Sequence, residues 1–166
     1  MCIRDSTVIS FEKPICYVKD EGWEVFWVGA PLLLVIADTG VVSSTKEVVA
    51  DLRQRYQAEP ARHVPVFDRI GEVVADARAS IELGQRGILG RLMDENHALL
   101  QRLGVSCPEL DRLVAAARSG GALGAKMSGA GWGGNMIALV TEATLGRVDM
   151  MLRLAGATRV IITEVR

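Results

Sequence analysis

The sequence predicts an α+β domain, a small sheet with helices packed on one face. Two observations point there. Strand-like runs sit at both ends of the chain, and a block with helical periodicity fills residues 44–120 between them. There are also no internal repeats, low-complexity tracts or linkers to divide the chain, and 166 residues suit one ordinary core better than two.

Residues 6–28 hold three short β-like runs, STVISF, ICYV and WEVFWV, punctuated at Lys13-Pro14 and at 19–22. PLLLVIADTG follows, a continuous apolar run ending in turn residues, which is the pattern of a strand buried on both faces. A first helix is expected from SSTKE, where Ser44 and Glu47 have capping-box spacing and Val48, Val49, Leu52 and Tyr56 share a face. The second carries Val66, Phe67, Ile70, Val73, Val74, Ala77 and Ile81 and ends near Gly84. The third carries Leu89, Leu92, Met93, Leu99, Leu100 and Leu103. The fourth opens at SCPE, with Ser106 as expected cap and Pro108 in its first turn. It carries Leu110, Leu113, Val114 and Ala117, and Gly120-Gly121 stop it. NMIALV then reads as a strand, 143–155 as a short helix, and TRVIITEV as a last strand.

Composition narrows the function. Hydrophobic residues make up 49% and charged residues 23%, a globular balance, and the formal net charge of −1 leaves no basic face for nucleic acid or an acidic membrane. The longest apolar run, 28–37, is about half a membrane span. The N-terminus lacks the apolar stretch of a secretory signal. Cys2, Cys16 and Cys107 are far apart, with no CxxC pair, and read as free thiols of a cytoplasmic protein. No metal site is expected, since His63 and His97 are isolated and read as surface residues. Asn96, on the third helix's apolar stripe, reads as a buried amide fixing a neighbouring loop.

The segment that asks for a function is GAKMSGAGWGGNMIALV, residues 124–140, with five glycines in seventeen positions. Gly129, Gly131 and Gly134 satisfy GxGxxG, but a strand follows where the dinucleotide fingerprint needs a helix N-terminus, so that reading fails. Two readings remain open on the residues alone. The glycines either let the chain turn tightly, or they leave successive backbone amides free to converge on phosphate oxygens, with Lys126 and Ser128 adding a charge and a hydroxyl.

GAKMSGAGWGG resembles the third motif of the GHMP kinase superfamily, K-[LM]-[TS]-G-A-G-G-G-G, and the resemblance extends over about residues 5–166. Residues 93–140 and 28–53 are most similar to the mevalonate kinase branch of that superfamily. The resemblance implies a ferredoxin-like C-terminal domain at 31–166, preceded at 1–30 by strands that join it to an N-terminal kinase domain. It implies ATP and Mg2+ as cofactors and phosphorylation of mevalonate to 5-phosphomevalonate, in the cytoplasm. In this family the third motif helps shape the phosphate site, a role that falls on Lys126, Ser128, Gly129, Ala130 and Gly131. Trp132 and Asn135 depart from the motif, which usually has glycine and often cysteine there.

RDSTVIS places Asp5 at the position of the family's catalytic aspartate, which takes or orients the proton of the attacking hydroxyl. MCIRDS is also similar to a stray sequence seen at the front of translated fragments, and on that alternative Asp5 is an ordinary surface residue. DTGVVSSTK places Thr45 on the substrate side, while helix capping by this Ser-Ser-Thr run accounts for the same residues. The family's Pro-x-x-x-Gly-Leu-Gly-Ser-Ser loop, N-terminal lysine and magnesium-holding glutamate have no counterpart in these residues. The expectation is therefore a truncated chain, inactive alone, whose docking face is apolar and prone to self-association, including a homodimer. The rivals are another GHMP kinase, for phosphomevalonate or a sugar, and a non-enzymatic α+β binding module.

Overall fold

The computed structural model describes residues 14–18 and 22–166. A two-stranded antiparallel ribbon, β1 (Ile15–Val18) with β2 (Gly22–Val25), precedes the domain. It is largely exposed, and is tied down by an ion pair from Glu24 to Arg78 and by the Arg78 guanidinium 5.8 Å from the centre of the Phe26 ring. The expected strand STVISF and Asp5 lie outside the described residues.

The domain follows the order β3 (Leu32–Asp38), α1 (Thr45–Ala58), α2 (Pro60–Glu82), α3 (Arg86–Arg102), α4 (Pro108–Ser119), β4 (Gly124–Ser128), β5 (Asn135–Val140), α5 (Glu142–Leu154) and β6 (Arg159–Val165). Its sheet runs β4-β5-β3-β6, antiparallel throughout. That is the strand order of a split βαβ, ferredoxin-like fold.

Register sorts the side chains. Val35 pairs Ala138, which pairs Ala125, while Ala37 pairs Met136, which pairs Met127. All six face one core with Leu110, Leu113, Val114 and Ala117 of α4 and Val148 and Leu152 of α5. The α4 set is the stripe that the periodicity of 110–117 requires. Truncating one of these leucines would cost about 2–5 kcal/mol. A smaller cluster, with Leu32, Leu139, Leu89 and Met93, lies on the other face, so α3 serves both sides of the sheet. It can approach that closely because Gly90 and Gly124 meet back to back: a Cβ on Gly124 would lie 1.9 Å from the Gly90 oxygen.

Helix termini repeat the expectations in part. The Ser44 hydroxyl accepts from the Glu47 amide at 3.4 Å. Helix α2 starts earlier than its apolar stripe, at Pro60, and runs through Pro65. Ser106 is not the cap of α4. Cys107 holds that position, one residue nearer the helix, and the Ser106 hydroxyl donates to the Asp111 carboxylate at 2.5 Å. A cap at α5 went unread, since Thr144 stands where a capping box has Glu or Gln; its hydroxyl accepts from the Thr141 amide at 3.1 Å.

Candidate functional site

The glycine segment resolves into two parts. GAKMS is a strand, β4, and residues 129–134 are the turn into β5. A strand therefore stands on both sides of the turn, in keeping with rejection of the dinucleotide fingerprint.

Gly129 and Gly131 have φ of 101° and 111°, in the left-handed region that side chains avoid. Their surroundings differ. A Cβ on Gly131 would lie 1.9 Å from the carbonyl oxygen of Val105, in the α3–α4 connection, whereas a Cβ on Gly129 would meet nothing within 4 Å. The close neighbour that makes Gly131 glycine is thus the protein's own backbone, and open space borders Gly129. The amides of Gly129, Ala130 and Gly131 donate to no group among the described residues, while the next one, of Trp132, donates to Val105 O at 2.9 Å. Three consecutive unspent N–H groups, running from exposed Gly129 through half-buried Ala130 to buried Gly131, form an arrangement that can receive an anion at its Gly129 end.

Trp132 has φ 55°, a conformation costly for a bulky residue. It is held by its amide and by its indole N–H, which donates to Gly104 O at 3.0 Å. The half-buried ring packs on the main core, so the tryptophan turns inward. On the opposite side Gly134 donates to Val41 O at 3.0 Å, Thr39 Oγ1 donates to Gly134 O at 2.9 Å, and Ser43 Oγ donates to Gly131 O at 2.7 Å. The turn is gripped between the 104–105 and 39–43 segments.

Behind it, α3 and α4 cover the open edge of β4. Asp94 accepts from the Ala125 amide at 2.8 Å and His97 Nδ1 from the Met127 amide at 3.3 Å, and Arg118 bridges Asp94 to the Ala125 carbonyl. Edge strands need such cover. His97 is buried, at 1% exposure, and His63 at 6%, so neither is the surface residue that their isolation suggested. The reason at His97 is the strand amide it satisfies; His63 Nδ1 meets the Glu59 carbonyl at 2.9 Å and its ring meets Tyr56 edge-on. Since Nδ1 of His97 accepts, the ring proton sits on Nε2, 3.2 Å from Asp111 Oδ1 without an aligned hydrogen bond. Burial pushes the His97 pKa below its ordinary value; Asp111 opposes this, and Arg118 and Lys126 add to it.

The expected site residues are distributed along this frame. Ser128 ends β4 half-buried, and its hydroxyl has no partner among the described residues. Lys126 lies on the strand, three residues before the turn. Its amine donates to Met127 O at 2.9 Å and borders a cavity of about 140 Å3 between α2 and α3, lined also by Val73, Leu92, Met93 and Asn96. Burial lowers its pKa. Asn96 is buried as expected, but against this cavity. Thr45 is exposed at the start of α1, two residues beyond Ser43. Asn135 pairs with both Ser128 and Asp38 across the sheet end. The contacts of Ser43, Asp94, His97 and Val105 had no signal in the sequence beyond an i, i+3 Asp-His pair on a helix.

Residues 77–148, which run from the end of α2 into α5 and include the turn but not the 39–45 segment, match the family described as GHMP kinases C terminal. The chain carries a GHMP kinase C-terminal domain. Mevalonate kinase of Pyrococcus furiosus is 40% identical over 168 residues, covering 97% of this chain and 48% of that protein. Mevalonate kinase of Pyrococcus horikoshii is 45% identical over 135 residues, covering 78% of this chain and 40% of the relative. The crystal structure of Leishmania major mevalonate kinase in complex with R-mevalonate superposes with a TM-score of 0.87 at 32% identity, over 92% of this chain and 48% of that one. The chain spans about half the length of the curated relatives it matches. Among the described residues no helix is long and apolar enough to cross a membrane.

Proposed function

We propose that this GHMP kinase domain is the C-terminal part of a cytoplasmic, ATP-dependent kinase that phosphorylates mevalonate on its 5-hydroxyl. The observation that carries the reading is the row of three unspent amides at Gly129, Ala130 and Gly131, open to space at its Gly129 end. It is supported by 40% identity to a mevalonate kinase and by the likeness to one solved with R-mevalonate.

The chain's own residues do limited, definable work. The amides at 129–131 and the Ser128 hydroxyl are placed to receive phosphate oxygens, and being fixed in advance they cost no reorganisation during reaction. Thr45 belongs to the acceptor side. Asp5, outside the described residues, takes the proton of the attacking hydroxyl. ATP supplies the phosphoryl group. The turn fits its phosphates, because a cradle of free N–H groups is open at Gly129. The described residues hold no group of three acidic, histidine or cysteine side chains, so none of them is assigned as a Mg2+ ligand and no step is routed through the metal here. An N-terminal kinase domain completes the enzyme, and a homodimer is a further expectation.

Substrate profiling tests the reading, with the chain joined to the N-terminal half of the P. furiosus relative. Turnover of mevalonate should exceed that of phosphomevalonate, homoserine and galactose. Faster turnover of phosphomevalonate or a sugar would move the protein to another branch of the superfamily. No nucleotide binding at all would favour a non-enzymatic module.

A further inference from the structure

Ser43, Ser44 and Thr45 form one run into α1, whose first residue is Thr45, and only Ser44 caps the helix. The Ser43 hydroxyl is spent elsewhere, donating to the carbonyl of Gly131 at 2.7 Å, 88 residues away in sequence. It is a side-chain bond to the middle of the turn, at the residue whose own amide is unspent. Around it the 39–43 segment grips the far end of the turn through main chain: Thr39 N to Gly134 O at 2.9 Å and Gly134 N to Val41 O at 3.0 Å. The 104–105 connection holds the opposite side through Trp132 and the contact at Gly131.

The Gly131 carbonyl shares its peptide plane with the Trp132 N–H, which donates to Val105 O, and meets at the Gly131 Cα the plane that carries the unspent Gly131 N–H. Val105 holds that plane through the Trp132 N–H, and the Ser43 hydroxyl makes the side-chain bond that ties it to the segment leading into Thr45. We infer that Ser43 is a positioning residue that couples the two ligand sides of the site: occupancy beside Thr45 is transmitted through Ser43 to the phosphate-receiving amides. The inference rests on the kinase reading above and deepens it. It assigns to this hydroxyl the synergy between acceptor and nucleotide binding, a property distinct from contact with either ligand.

The coupling is a reciprocal free energy, so it can be read from binding alone. Titration calorimetry on the joined enzyme, measuring ATP affinity with and without mevalonate, should show acceptor tightening nucleotide by about tenfold in the parent, within the usual range of such couplings. In Ser43→Ala the factor should fall close to one, with each ligand's affinity alone nearly unchanged. Ser43→Thr, which keeps the hydroxyl, should restore it. In parallel, amide exchange at Trp132 and Gly134 in the 166-residue chain should quicken in Ser43→Ala and recover in Ser43→Thr. Equal coupling in parent and alanine variant would overturn the inference. So would a variant that weakens both ligands without altering their synergy, which marks a merely structural hydroxyl, or unchanged amide exchange. If the parent binds neither ligand, the kinase reading itself fails and this inference falls with it. Binding of both in the parent separates the two failures.

Discussion

Gly131 lies against the carbonyl of Val105 so closely that a Cβ there would sit 1.9 Å from its oxygen. The α3–α4 connection, rather than a ligand, therefore demands glycine at 131. Gly129 shares the left-handed backbone but borders open space.

That contrast predicts opposite behaviour for two substitutions. Gly131→Val should destabilise the domain by several kcal/mol or prevent folding, since the backbone must shift and the φ strain adds to it. Gly129→Ala should cost about 1–2 kcal/mol, the strain of the left-handed conformation alone. Denaturant unfolding of both variants checks this. Comparable losses would show that the turn is less tightly held than its contacts imply.

Trp132 supplies a second test, because its φ of 55° favours glycine. Trp132→Ala and Trp132→Gly both lose the indole bond to Gly104 and the core packing. The glycine variant should nevertheless be the more stable of the two by about 1 kcal/mol, since it alone is relieved of strain. Thermal melts read the order, and a more stable alanine variant would contradict the strained geometry.

The His97 pair with Met127 predicts a pH dependence. Burial holds the folded-state pKa of His97 below the ordinary value of about 6.5, so the neutral form is the native one. As pH falls through about 6.5 the unfolded state takes up the proton first, and stability drops. It should be fully present above that pH and decline below it, and His97→Gln should flatten the decline. Tm against pH between 5 and 8 on parent and variant measures it. Identical profiles would assign the acid sensitivity to other groups.

Much of this fold was legible before the structure. The stripe at Leu110, Leu113, Val114 and Ala117, the apolar run at 32–37 and the strand NMIALV each carry a local period, and local periods survive into the fold. The glycine turn was legible as a candidate site for the same reason. Long-range pairings were not. Nothing near Ser43 announces a bond to Gly131, and His97 read as a surface residue because the strand amide that draws it inward lies 30 residues on. Ser106 was misread as a cap because the helix starts one residue later, behind Cys107, and the hydroxyl donates to Asp111, five residues away. Lys126 was expected to charge the turn, but strand alternation sends its amine to the cavity between α2 and α3.

Isolated residues 1–166 should show no ATP turnover, because phosphoryl transfer depends on positioning by parts that this sequence does not supply. A coupled assay on the purified chain decides it. Turnover abolished by Ser128→Ala would place a complete phosphate site within these residues.

The central claim is that the unspent amides of the turn receive phosphate. Amide chemical shifts of the 166-residue chain, followed while inorganic tripolyphosphate is added, test it most directly. The Gly129, Ala130 and Gly131 signals should move together and saturate, while those of Trp132 and Gly134, already committed to Val105 and Val41, move far less. Shifts confined to arginine-rich surfaces, with residues 129–131 unmoved, would contradict the account.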